Sequence, residues 1–308
     1  MQETAITASS SLQDISNSEN TKLEQLIDVP FTKKAIAALL RLFNYFDIYA
    51  PRIPAVYDII TIIRFFQLIG GSIMAANTDL FKPGTLTFKV MSVISVLFHV
   101  VPVQYRDANL VYILTAIDAI LIVFGFYLVI TVFQYKTTSK VPRMSLLILS
   151  FYIAIGPFII LPLAAQFVGQ MISNEIATAS KPDSIELILA IVTVTQFVFY
   201  IWMMMKTYTT TIIFRATSLQ TLEGSAQNKV FLVTLFNTLI CAIATDMDRI
   251  PQTVITAISM LIYVFSITTV FNCGTFIRHS HQIMILGGSI LGIVISAVNF
   301  CPAEKQNQ

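Results

Sequence analysis

Charge is scarce in this chain. Asp, Glu, Lys and Arg together make up 12 % of its 308 residues, about half the share found in soluble domains. That scarcity excludes an ordinary water-soluble globule. With 56 % apolar residues and a mean hydropathy of +0.76, there is more apolar surface than a domain of this size can hide from water. A net charge of +2 offers no basic face for nucleic acid, so none is expected as a partner. Cysteine is nearly absent as well. Cys241, Cys273 and Cys301 lie in or beside apolar segments without paired spacing, which excludes a disulfide framework or a zinc site. They read as small membrane-embedded or boundary residues. No G-x-x-x-x-G-K-[ST], H-E-x-x-H or G-x-S-x-G motif occurs, so no catalytic residue, metal centre or cofactor is expected. His279 and His281 in "RHSH" lack a third ligand and read as solvated. The first 28 residues also lack a basic start followed by an apolar run, so no cleavable leader is expected.

What the chain does have is long apolar runs. A crossing helix needs about 20 mostly apolar residues, and candidates lie near 57–76, 109–133, 144–171, 185–205, 230–244, 251–273 and 283–300. The expected fold is therefore all-α, a polytopic transmembrane helix bundle of about seven spans, within a range of five to eight. Residues 1–30, rich in Ser, Thr, Asn, Gln and acid, read as a disordered polar tail, because their apolar surface is too small to offset the entropy of ordering. Residues 31–52 read as a basic amphipathic helix beside the membrane. Phe31, Ala35, Ile36, Leu39, Leu40, Phe43 and Phe46 form its apolar stripe, and it lies either in the headgroup layer or against other protein. The transmembrane region covers 53–300, and 301–308 is a short tail. The stretch 88–103, "FKVMSVISVLFHVVPV", is too short to span and is expected to be interfacial. The fifth candidate has only fifteen residues and is expected to be a short or re-entrant segment. Pro157 and Pro162 fall inside the third candidate and predict a kink there.

Lysine and arginine set the orientation. With seven spans, twelve of the nineteen basic residues fall on the side of the amino terminus, six on the other, and Arg64 within a span. The expectation is a cytoplasmic amino terminus on an integral, multi-pass membrane protein. The loop "QYKTTSKVPR", with three basic residues and no acid, weighs most.

The polar residues inside the runs are the candidate functional positions. Asp118 lies deep in "ILTAIDAILIVFGFYLVITVF", where a carboxylate costs about 2.5–3.5 kcal/mol on insertion scales. Helix rise places Gln196 at a similar depth and Arg64 about 12 Å away along the normal. The expected arrangement is a neutral Asp118 held by Gln196, with Thr115 or Thr193 nearby, and Arg64 snorkelling to the headgroups. Gly288, Gly292 and Ser296, four residues apart, form a small-residue face for close helix packing. That face suits an internal neighbour better than a homo-oligomer.

The stretches "IPAVYDIITIIRFFQLIGG" and "NTDLFKPGTLTFKVMSVISVLFHVVPVQYRDANLVYILTAIDAI" resemble the amino-terminal membrane region of the adenylate/guanylate cyclase-like receptors of parabasalid protists. The order of a polar tail, an amphipathic lead, a span opened by Ile-Pro, a short apolar helix and a long span is similar. The resemblance implies a membrane-embedded sensory or anchoring module in cyclic-nucleotide signalling. Those receptors carry a class III cyclase domain beyond the membrane region. This sequence contains no such domain, so no catalytic residue is carried over and the chain is expected to be non-enzymatic. The runner-up is a small ion or solute transporter or channel using Asp118. Membrane lipid is the partner expected in either case, with a homo-oligomer or helix partner through Gly288 and Gly292 as a further option.

Overall fold

The computed structural model describes residues 30–49, 54–74, 103–178, 184–207, 224–244, 249–273 and 279–300, with a few isolated positions between 86 and 93. The polar tail, most of 88–103, and residues 301–308 lie outside the described residues. Every described element is a helix, so the fold is all-α.

The helices are α1 (Phe31–Tyr49), α2 (Pro54–Met74), α3 (Val103–Thr138), α4 (Arg143–Ile155), α5 (Leu161–Thr178), α6 (Ser184–Thr207), α7 (Gly224–Ile243), α8 (Arg249–Cys273) and α9 (His279–Phe300). Among the described residues, four helical stretches are long and apolar enough to cross a bilayer: Asn109–Thr138, Arg143–Ile176, Ser184–Met205 and Ile250–Phe271. They are the second, third, fourth and sixth runs of the sequence. The fifth run is the apolar part of a twenty-residue helix, α7, which starts six residues earlier than the apolar count suggests. Polar residues such as Gln227 and Asn228 extend it, because helix geometry does not stop where hydropathy falls. α3 likewise begins before its apolar run, with non-helical backbone at Asn109 (φ −129°, ψ 19°), where that run starts.

The proline-bearing span is interrupted by a π-turn at Gly156–Ile160, between α4 and α5. Pro157 and Pro162 bring no N–H to the ladder. The chain widens by one residue per turn instead, and the Leu161 N–H reaches the Gly156 carbonyl. Gln67 of α2 donates to the Ile159 carbonyl at 2.9 Å, an example of a neighbouring helix satisfying backbone near a proline.

Close pairs give each helix its direction. α3 turns back into α4 through Ser139 (φ 55°), and the Tyr127 hydroxyl donates to Ser145 at 2.7 Å across the hairpin. Phe158 meets Phe231, and Gly169 meets Ala242, so α5 and α7 run parallel. α8 returns against α7 and α9, as Ser259 bonds Asn237 and Ser289 bonds Ser266. α2, α5, α7 and α9 thus point one way, and α3, α6 and α8 the other.

α1 packs on protein. Leu42, Phe43 and Phe46 are buried in the main core with Leu110, Leu114, Leu146 and Met204, and Tyr45 meets Tyr135 at 5.0 Å. Phe31, the first residue of the expected stripe, is 82 % exposed; the buried face instead centres on Leu42. The outward faces of the bundle are apolar. On α3, Val123, Phe126, Ile130 and Phe133 are exposed, and on α6, Ile188, Ile191, Val194 and Val198. Only 28 % of the most apolar window of α3 is buried within the protein, so most of that face needs an apolar solvent. These are properties of a membrane protein.

Candidate functional site

Two polar clusters lie between the helices. The first is built around Asp118, which is 2 % exposed. α3 and α6 run parallel here, setting Thr193 and Gln196 beside it. The Thr193 hydroxyl lies 2.8 Å from Asp118 Oδ2 and 2.9 Å from the Leu189 carbonyl one turn back. Gln196 does not take the carboxyl. Its amide approaches the backbone carbonyl of Asp118 at 3.4 Å, a long contact. Thr115 is turned away, bonding the Val111 carbonyl at 2.7 Å. Threonine wins the carboxyl because its short side chain reaches Oδ2 without leaving its own helix wall. Asp118 Oδ1 and Gln196 Oε1 have no hydrogen-bond partner among the described residues. One turn further along, Tyr152 and Tyr200 share a hydroxyl contact, and Tyr200 donates to the Leu121 carbonyl at 3.1 Å. The Tyr152 ring stacks on Phe124 at 4.6 Å. This pair of tyrosines is absent from the sequence reading, because a tyrosine in an apolar run looks like any other aromatic.

Arg64, on α2, meets the π-turn. Its guanidinium lies over the Phe158 ring, 4.0 Å from the centroid, so the residue is half-buried against the π-turn. A cation over an aromatic face is attracted by the ring quadrupole, and the π-turn holds that ring beside α2. Pro157 is buried within the turn and Pro162 lies two residues beyond it, in the first turn of α5.

The second cluster joins α2, α7, α8 and α9. Tyr263 of α8 donates to the Leu68 carbonyl at 2.7 Å and receives bonds from Ser72 at 2.6 Å and Asn237 at 2.9 Å. Asn237 Oδ1 accepts from Ser259 at 2.7 Å, with Cys241 close to both. Ser296 of α9 donates to Ser72 at 3.3 Å. Cys241 is a buried free thiol inside this network. Single neutral polar residues are common in membrane helices, and nothing in their spacing marked Ser72, Asn237, Ser259 and Tyr263 as one set. Gln166 and Gln170 on α5 were also unmarked. They are buried, and neither amide atom of Gln166 is bonded among the described residues.

The small-residue face of α9 is used inside the molecule. A Cβ on Gly288 would lie 3.2 Å from Leu68 and 3.3 Å from Phe65, and one on Gly292 only 2.4 Å from the Tyr263 ring. Ser296 meets Ser72. α2 and α8 therefore cover Gly288, Gly292 and Ser296.

The chain matches no family model, no curated protein and no solved structure.

Proposed function

We propose that the chain is a non-catalytic, multi-pass membrane module of the sensory or anchoring kind, as the resemblance to receptor cyclases implies. In this reading it crosses the bilayer seven times from a cytoplasmic amino terminus. The alternation in direction from α2 to α9 supports that number, and the excess of basic residues on the amino-terminal side supports that orientation. The observation that carries the reading is the use of polar side chains as ties between helices. Tyr263, Asn237, Ser72 and Ser259 bond to one another across three helices, and Thr193 holds Asp118. Such ties suit a bundle that keeps one arrangement or switches between two.

Asp118 acts here as a neutral packing group. A hydroxyl carries one hydrogen, yet Thr193 is close to both Asp118 and the Leu189 carbonyl. Both contacts are good hydrogen bonds when a protonated Asp118 donates to Thr193 and Thr193 donates onward. The runner-up, transport through Asp118, draws support from the unpartnered Asp118 Oδ1 and Gln196 Oε1, which leave room for an exchangeable proton or ion. An Asp118→Asn variant separates the two in reconstituted vesicles. A packing role predicts normal insertion and unchanged ion and proton flux. Loss of a measurable flux with normal insertion would replace it with transport.

A further inference from the structure

The hairpin between α3 and α4 joins two of the long apolar stretches, Asn109–Thr138 and Arg143–Ile176. It therefore stands at a membrane face however often the rest of the chain crosses. Its sequence, "QYKTTSKVPR", carries three cations and no acid. We propose that this hairpin binds the headgroup of an anionic phospholipid whose acyl chains lie along α3.

The acyl part of the site is a stripe. Phe126, Ile130 and Phe133 follow at four- and three-residue spacing and are all exposed, so they share one outward face of α3. Lys136, three residues further, is exposed beside them. From Leu121, the midpoint of the apolar run 109–133, to Lys136 is fifteen residues, about 22 Å of helix. Half a bilayer with its headgroups is about 20–22 Å thick, so Lys136 stands at phosphate level. The polar part is an ordered turn. Ser139 takes the left-handed conformation (φ 55°), and its N–H donates to the Tyr135 carbonyl at 2.8 Å. The Lys140 N–H meets Thr138 Oγ1 at 3.4 Å, and Val141 is buried in the main core. Fixed on both sides, Lys140 stays exposed, with exposed Lys136 and Arg143 on the flanking helix ends. Tyr135 meets Tyr45 of α1 at 5.0 Å, so α1 covers the side away from the stripe and the lipid-facing side is left open.

Charge selects the class of lipid. Among the described residues, none of the three cationic side chains forms an ion pair. Arginine forks onto a phosphate through two N–H groups, and lysine meets it as a point charge. A phosphatidylglycerol headgroup brings net negative charge, whereas phosphatidylcholine sets its own cation beside the phosphate. Each basic group near an anionic headgroup layer is worth roughly fivefold in affinity.

The test uses the full chain in detergent with equal amounts of phosphatidylglycerol and phosphatidylcholine, the retained lipids being weighed by native mass spectrometry. Phosphatidylglycerol is expected to be retained about tenfold over phosphatidylcholine. Lys140→Gln is expected to lower that ratio severalfold, and Lys136→Gln, Lys140→Gln and Arg143→Gln together to bring it near one. Lys89→Gln, at an exposed lysine outside the hairpin, is expected to leave it unchanged. Equal retention of the two lipids by the native protein overturns the proposal. So does a preference that survives the triple variant, or one that falls equally in Lys89→Gln. A preference that appears only after Glu19→Gln, Glu24→Gln and Asp28→Asn assigns the hairpin to the chain's own acidic residues before α1, and overturns it too.

Discussion

Asp118 and Thr193 are one interaction seen from two helices, and a double-mutant cycle measures it. In Asp118→Leu and Thr193→Val, singly and together, the coupling is expected to be about 0.6–1.7 kcal/mol, the range for polar pairs between membrane helices. Additive effects, read by unfolding in a denaturing detergent, would show that the 2.8 Å contact carries no net stability. Tyr263 is a stronger case, because its hydroxyl serves Leu68, Ser72 and Asn237 at once. Tyr263→Phe removes one oxygen and leaves three polar groups short of a partner, so a loss of about 1–3 kcal/mol is expected. A neutral effect in the same unfolding assay would mean that the neighbours re-pair without it. Of these residues only Asp118 could be singled out from the sequence, since a lone carboxylate in an apolar run costs enough to demand a reason. Depth along the helix also brought Gln196 and Thr193 to its level. Which of them takes the carboxyl depends on side-chain length and on a fraction of a helical turn, and neither can be read from spacing. Tyr263 and Asn237 carry no such cost on their own and left no mark.

Two glycines of α9, five residues apart, make the packing claim testable at the level of the element. Gly292→Leu drives a side chain into the Tyr263 ring, which already lies 2.4 Å from where a Cβ would sit. Strong destabilisation or failure to accumulate is expected. Gly287 has nothing within 4 Å of its Cβ position, so Gly287→Leu is expected to be tolerated. Equal tolerance of both, judged by yield and by unfolding midpoint, would contradict the packing of α9 on α8. The four-residue spacing made this face legible, because close approach of two helices requires small side chains. The form of the break between α4 and α5 was less legible. Pro157 and Pro162 announce a disturbed helix, but whether it bends or widens into a π-turn depends on partners such as Gln67, which come from another helix. The start of α7 lies before its apolar run for a related reason: hydropathy measures solvent preference, and a helix can run on into polar residues.

For the molecule as a whole, composition was the most informative feature. Scarce charge and long apolar runs point to an all-α fold with lipid-facing surfaces, and the exposed apolar residues of α3, α6 and α8 agree with that. The packing of α1 on the core was left open by the sequence, since an amphipathic helix has the same pattern whether lipid or protein meets its apolar side. The central claim is that acyl chains solvate the outward faces. Spin labels on single-cysteine variants of the reconstituted protein test it most directly, with accessibility to oxygen and to a water-soluble nickel chelate measured along α3. Labels at Val123, Phe126 and Ile130 are predicted to meet oxygen freely and the chelate hardly at all, while Leu121 and Leu128 are shielded from both. Free access of the nickel chelate to Val123, Phe126 and Ile130 would place that face in water and contradict the membrane assignment.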